Sequence, residues 1–131
     1  MSQIRPETIL VVEDEEMVRA TICDLLELAG FQAEQAGDGR HALEWLRTHS
    51  PPSVILLDLM MPQMTGRDVL DALENDARLS AVPVIVVTGY PVEASGLSYP
   101  QIHGFFSKPY SVDKLLDCIA DCLAGTPRTL N

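Results

Sequence analysis

Ser53-Val54-Ile55-Leu56-Leu57-Asp58 is the stretch on which the fold turns. Its apolar residues, Val54 to Leu57, run without a polar break and then stop at a carboxylate. A strand with one wet face alternates apolar and polar side chains, so an unbroken run belongs to a strand covered on both faces of a parallel sheet. Three other stretches read the same way: Thr8-Ile9-Leu10-Val11-Val12 stops at Glu13-Asp14, Pro83-Val84-Ile85-Val86-Val87 stops at Thr88, and Gly104-Phe105-Phe106-Ser107 stops at Lys108-Pro109. Phe31 to Ala36 is a weaker strand of the same kind.

Between these runs the apolar period changes from two to about 3.6 residues. Glu15 to Ala29 carries Val18, Ile22, Leu25, Leu26 and Ala29 at helical spacing, with Gly30 as the stop. Asp38, in the turn Gly37-Asp38-Gly39, is placed to cap a second helix with Ala42, Leu43, Trp45 and Leu46, ending near His49. A loop from Met60 to Gly66 precedes a third helix with Val69, Leu70 and Leu73. Ser111 caps a last helix with Val112, Leu115, Leu116, Ile119 and Leu123. Residues 89–100 hold two prolines and two glycines with weak periodicity, which predicts a short or distorted helix there, the fourth of five. Strands alternating with amphipathic helices predict a doubly wound α/β domain with a five-stranded parallel sheet. The whole chain, 1–131, is read as one domain, with a core at about 8–124 and tails at 1–7 and 125–131.

Composition narrows the function. Nineteen acidic against nine basic residues leave a formal net charge of -10, which argues against contact with nucleic acid or an anionic membrane surface. No apolar run reaches the roughly 18–20 residues that cross a bilayer, and the first residues lack a signal-peptide core. The three cysteines, Cys23, Cys118 and Cys122, form no CxxC pair, so a disulfide framework is not expected and a cytoplasmic location is. Packing is the favoured reading of all three cysteines, and His41, His49 and His103 fall in no metal-ligand spacing.

In open α/β sheets ligands bind beyond the carboxyl ends of the strands. The residues at those ends are Glu13, Asp14, Asp58, Thr88 and Lys108, from four separate segments. Taken singly, each has an ordinary structural explanation: a helix-capping acid, a turn residue, a β-branched strand residue, a solvated charge. Together they compose a chemistry. Clustered carboxylates repel one another, and a hard cation such as Mg²⁺ offsets that repulsion. A carboxylate can accept a phosphoryl group as a nucleophile, and an ammonium and a hydroxyl stabilise phosphoryl oxygens.

The same residues carry a family resemblance. The motifs Ile9-Leu10-Val11-Val12-Glu13-Asp14-Glu15, Ala36-Gly37-Asp38-Gly39 with Ala42-Leu43, Leu56-Leu57-Asp58-Leu59-Met60-Met61-Pro62-Gln63-Met64-Thr65-Gly66, Val86-Val87-Thr88-Gly89 and Phe105-Phe106-Ser107-Lys108-Pro109 resemble, in order and spacing, the receiver domains of two-component response regulators. The resemblance implies the flavodoxin-like strand order 2-1-3-4-5. It implies that Asp58 accepts a phosphoryl group from a histidine kinase or phosphotransfer protein. It places Mg²⁺, or Mn²⁺ in its stead, on Asp14, Asp58 and the backbone carbonyl of Met60, with Glu13 assisting through water. Thr88 and Lys108 would bind the phosphoryl oxygens, Phe105 would be the switch aromatic, the Lys108-Pro109 bond would be cis, and Gly66 would permit the tight turn after the acceptor loop. A homodimer partner is also consistent with the family.

Departures from the family pattern are informative. The switch position often holds tyrosine, and Phe105 lacks its hydroxyl. The Thr88 to Lys108 spacing is slightly short, which resembles receivers with a reduced helix after a Thr/Ser-Gly-Tyr motif, some of them in hybrid kinases. A Mg²⁺-dependent phosphatase with an aspartyl nucleophile usually has a second acid where Met60 stands, so a switch is favoured over an enzyme. A receiver-like module that is never phosphorylated is opposed by the intact pocket, and a nucleotide-binding reading by the lack of a GxGxxG or P-loop. Met60 and Tyr90 occupy positions that tune phosphoryl loss in the family, and neither orients water well. Phosphoryl loss measured by intact mass is expected to be slow in the wild type and faster in the Met60→Asn/Tyr90→Glu variant.

Overall fold

A computed structural model describes residues 7–61, 65–89 and 99–124. The elements are β1 (Thr8–Val12), α1 (Glu16–Leu28), β2 (Gln32–Ala36), α2 (Gly39–Thr48), β3 (Val54–Asp58), α3 (Gly66–Glu74), β4 (Val84–Thr88), β5 (Ile102–Ser107) and α4 (Val112–Leu123). All strand pairs are parallel and the order is β2-β1-β3-β4-β5, as the sequence pattern and resemblance predict. Most of residues 89–100, where a short or distorted helix is predicted, lies outside the described residues.

The two-residue period of a strand sorts the core into two layers. Leu10, Val12, Ile55, Leu57, Val84 and Val86 face α2 and α3, where Ala42, Leu46, Val69, Leu70 and Leu73 close the layer. Ile9, Val11, Val54, Leu56 and Ile85 face α1 and α4, against Ile22, Cys23, Leu26, Leu115 and Ile119. β1, β3 and β4 therefore have both faces covered, which is why their sequences show no alternation. Burying a side chain of this size stabilises by about 1.5–3 kcal/mol.

Local signals set the helix bounds. Asp38 Oδ1 accepts from His41 N–H at 2.8 Å and Ser111 Oγ from Lys114 N–H at 3.3 Å, satisfying backbone donors that a helix start leaves open. Thr65 and Asp68 form a capping box at the start of α3. Gly30 adopts φ +98°, a conformation costly for residues with a Cβ, and ends the turn after α1.

β5 begins two residues earlier than its apolar run suggests. Val84 pairs with Ile102 but Ile85 pairs with Gly104, so His103 is an extra residue that interrupts the pattern. The segment between α3 and β4 also joins the core through Leu79 and Val82. Buried Gln101 donates to Leu79 O at 3.4 Å and Val82 O at 2.9 Å, tying that segment to β5.

Arg78 performs a related task for α2. Its Nη1 donates to His49 O at 3.0 Å and its Nη2 to Leu46 O, so a guanidinium occupies the negative end of the α2 dipole. Arg78→Ala is expected to destabilise by about 1–2 kcal/mol, the worth of charge-assisted bonds at a partly exposed helix end. Urea unfolding should show a lower midpoint with an unchanged slope.

Candidate functional site

The strands end together at one rim, and short backbone bonds hold their tips in register. Glu13 N–H donates to Ala36 O at 3.1 Å, Leu59 N–H to Val87 O at 3.1 Å and Lys108 N–H to Thr88 O at 2.7 Å. Each bond lies just past a strand end, so the sheet's register is carried into the residues of interest.

Glu13 and Asp58 are each only 2% exposed. Burying two acids this close is costly unless something compensates, and Lys108 does so. Its Nζ donates to Glu13 Oε1 at 2.9 Å and to Asp58 Oδ2 at 3.0 Å. The remaining oxygens are also engaged: Glu15 N–H donates to Glu13 Oε2 at 3.1 Å, and Met60 N–H to Asp58 Oδ1 at 2.9 Å. Partial burial pulls the Lys108 pKa down, but the hydrogen bonds and charges of Glu13 and Asp58 outweigh it and hold the ammonium above the ordinary lysine range.

Asp14 stands exposed beside them. One oxygen from each of Glu13, Asp14 and Asp58 lies within 4.8 Å of the others. Three carboxylates facing one ammonium leave negative charge in excess, and the donors are hard oxygens. This set fits a divalent cation of the Mg²⁺ class, with Asp14 on the side open to water.

The other predicted residues fall around this centre. Thr88, 1% exposed, ends β4 beside it. Phe105 is half-buried on β5, opposite Val86, and packs on the layer beneath α2 and α3. Met60 is 50% exposed, two residues past the acceptor candidate. The Lys108-Pro109 bond is cis. Tyr90 lies outside the described residues.

Sequence reasoning missed Arg19. From α1 its Nη1 donates to Glu13 O at 2.8 Å and its Nε to Gln35 Oε1 at 3.0 Å, pinning the acidic turn against the end of β2. A lone cation one turn into the helix after Glu13-Asp14-Glu15 was the available signal.

Gly66 is required by proximity. A Cβ there would lie 2.7 Å from both Asp58 O and Leu59 Cα, so the backbone just after β3 would have to move. Gly66→Ala is expected to cost about 1–3 kcal/mol, as for other overpacked positions. Gly89→Ala, where nothing lies within 4 Å of an added Cβ, is expected to stay within about 0.5 kcal/mol. Paired thermal melts of the two variants check the contrast.

Comparison with known proteins agrees with this geometry. Residues 9–120 match the family model of the response regulator receiver domain. The polar-differentiation response regulator DivK of Brucella anthropi is 31% identical over 120 residues, covering 90% of this chain and 97% of the relative. The receiver domain of a signal transduction histidine kinase from Syntrophus aciditrophicus superposes with a TM-score of 0.78 at 28% identity, covering 95% of this chain and 96% of that one. The response regulator TrrA of Thermotoga maritima, in complex with Mg²⁺-BeF, gives a TM-score of 0.79 at 25% identity, covering 89% and 99%. With its sheet order, acidic rim and near-complete match along the chain, this protein belongs to the response regulator receiver domain family of two-component signalling.

Proposed function

We propose that this receiver domain is a phosphoacceptor switch in which Asp58 takes a phosphoryl group from a histidine kinase or a phosphotransfer protein. The observation that carries the proposal is the setting of Asp58: a buried carboxylate with one oxygen on Met60 N–H and the other on Lys108, beside Glu13 and Asp14.

Phosphoryl transfer needs positioning and charge stabilisation more than covalent assistance. The Met60 N–H and the Lys108 ammonium each hold one Asp58 oxygen and so fix the carboxylate plane, and movement of the partly exposed lysine would free Oδ2 for attack. As that oxygen bonds to phosphorus, the bond to the donor nitrogen breaks and its electron pair leaves with the imidazole. Lys108, already a two-way donor, can turn toward the phosphoryl oxygens without leaving the site. A bound Mg²⁺, held by Asp14, Asp58 and the Met60 carbonyl with Glu13 behind a water, would neutralise the acidic rim toward an anionic donor.

Response follows from Thr88 and Phe105. Thr88 supplies a hydroxyl donor at the rim, and Phe105 lies on the next strand on the same face as Val86. Displacement of Thr88 toward the phosphoryl group would change the packing against which Phe105 rests, shifting the population of partner-binding states. An apolar groove of about 610 Å³ beside Lys108 and Pro109, lined by Met17, Val18, Ile22 and Tyr110, gives a protein donor a surface adjoining the acceptor.

Incubation with acetyl phosphate and Mg²⁺ is expected to add one phosphate by intact mass, and Asp58→Asn is expected to abolish the adduct. Rapid turnover of varied phosphomonoesters would instead indicate an enzyme, and no adduct with any donor would indicate a module without the chemistry. Lys108→Met removes the ammonium that offsets Glu13 and Asp58. It is expected to lower stability by roughly 1–3 kcal/mol, and Mg²⁺ should then raise its melting midpoint more than it raises that of the wild type. An equal increment in both would refute the overlap of the lysine and cation sites.

A further inference from the structure

β1 runs into Glu13-Asp14-Glu15-Glu16, a row of four acids, and α1 places Arg19 soon after it. Arg19 N–H bonds to Glu15 O at 2.9 Å, so the residue stands at the end of the helix's first turn. A helix dipole disfavours a cation near this end. The half-buried side chain leans back toward the helix start, as helical side chains do. Yet it forms no ion pair with an acid among the described residues. It grips neutral oxygens instead, with Nη1 on Glu13 O at 2.8 Å and Nε on Gln35 Oε1 at 3.0 Å. Gly37 leaves the guanidinium its room, since a Cβ there would lie 3.3 Å from Arg19 Nη1.

We propose that Arg19 is a positioning residue for the divalent-cation site: it clamps the Glu13–Asp14 peptide, so that Asp14 is held in place while its carboxylate stays free for the metal. The proposal rests on the reading of Glu13, Asp14 and Asp58 as that site. A peptide group is planar, so fixing its carbonyl oxygen also fixes the amide and Cα of the next residue. Here the next residue is Asp14. The other two carboxylates have anchors of their own, Glu13 on Lys108 and Glu15 N–H, Asp58 on Lys108 and Met60 N–H. The exposed Asp14 carboxylate accepts no hydrogen bond from a described residue, so its backbone sets where it stands. That backbone is held on both sides of Glu13, by the bond from Glu13 N–H to Ala36 O at 3.1 Å and by Arg19 on Glu13 O. Losing the second hold frees the Glu13–Asp14 peptide to turn and carries Asp14 off the site.

Charge and clamp act in opposite directions. A positive charge near three carboxylates repels a divalent cation, so removing the charge alone would tighten binding. Removing the clamp loosens it, and outer contacts of metal sites are commonly worth about 10–100-fold in affinity. The clamp therefore outweighs the charge. A tie that served only to hold α1 against β2 would leave the affinity unchanged or raise it.

The test is calorimetric titration of Mg²⁺ into the full chain. Arg19→Ala is expected to raise the Kd for Mg²⁺ about tenfold, the low end for such contacts. Arg19→Lys, which keeps the charge but cannot reach both oxygens with a fork, should fall between the two. Gln35→Ala leaves the charge unaltered on an exposed residue; it should also raise the Kd, by less, and it decides the matter where Arg19→Ala does not fold. Arg78→Ala removes a guanidinium that caps α2 and should leave the Kd as in the wild type. No Mg²⁺ binding by the wild type would overturn the cation site and this proposal with it. Wild-type binding that Arg19→Ala leaves unchanged or tightens would overturn this proposal alone, as would an equal loss in Arg78→Ala.

Discussion

One ammonium group organises the rim of this domain. Lys108 Nζ lies 2.9 Å from Glu13 Oε1 and 3.0 Å from Asp58 Oδ2, and so joins the residues that follow β1 and β5 to the last residue of β3. Two acids buried to this degree repel one another, and the fold tolerates them because the cation sits between. The contact is not sealed, since the lysine side chain is about 30% exposed. A fully buried ion pair would gain more Coulomb energy at greater desolvation cost. A partly exposed one keeps contact with water and can exchange partners at lower cost.

That cation is held in place by ordinary sheet physics. The Lys108 N–H to Thr88 O bond carries the pairing of β4 and β5 past the last strand residue. Leu59 N–H to Val87 O does the same for β3 and β4, and Glu13 N–H to Ala36 O for β1 and β2. Arg19 then fixes the Glu13 carbonyl from the helix side. The site is therefore made of residues at or just past the strand ends, which inherit the precision of the sheet, with Gly66 allowing the loop after β3 to fold back close to the Asp58 backbone.

The legibility of these features in the sequence follows from their range. β1, β3 and β4 were readable because a strand covered on both faces leaves an unbroken apolar run, and the rim residues were readable because they end those runs. Helix caps at Asp38 and Ser111 were readable because a cap bonds within three residues. Arg78 and Gln101 were not: each bonds to backbone carbonyls remote in sequence, and nothing in a surface-type residue announces that partner, whereas Arg19 left only the faint signal of a lone cation one turn after the acidic run. The start of β5 was hidden for a different reason. His103 is an inserted residue, and an insertion breaks the period that reveals a strand.

Tyr99 extends the logic of the rim to the far end of the connection that follows Thr88. Its hydroxyl donates to Asp71 of α3, and its ring packs on the same layer as Phe105. The hydrogen bond to the Asp71 carboxylate, helped by burial, pushes the phenol up to about 12. A raised folded-state pKa means the bond contributes fully below the unfolded value of about 10 and is lost as pH rises through the folded one. At neutral pH the connection is therefore tied at both ends, to the rim through Thr88 and to α3 through Tyr99. Phe105 lies between these ties, on the strand that leads to Lys108. Phe105 packing and the Tyr99–Asp71 bond thus connect the rim to α3 through one layer of the core, and neither contact needs a hydroxyl on residue 105.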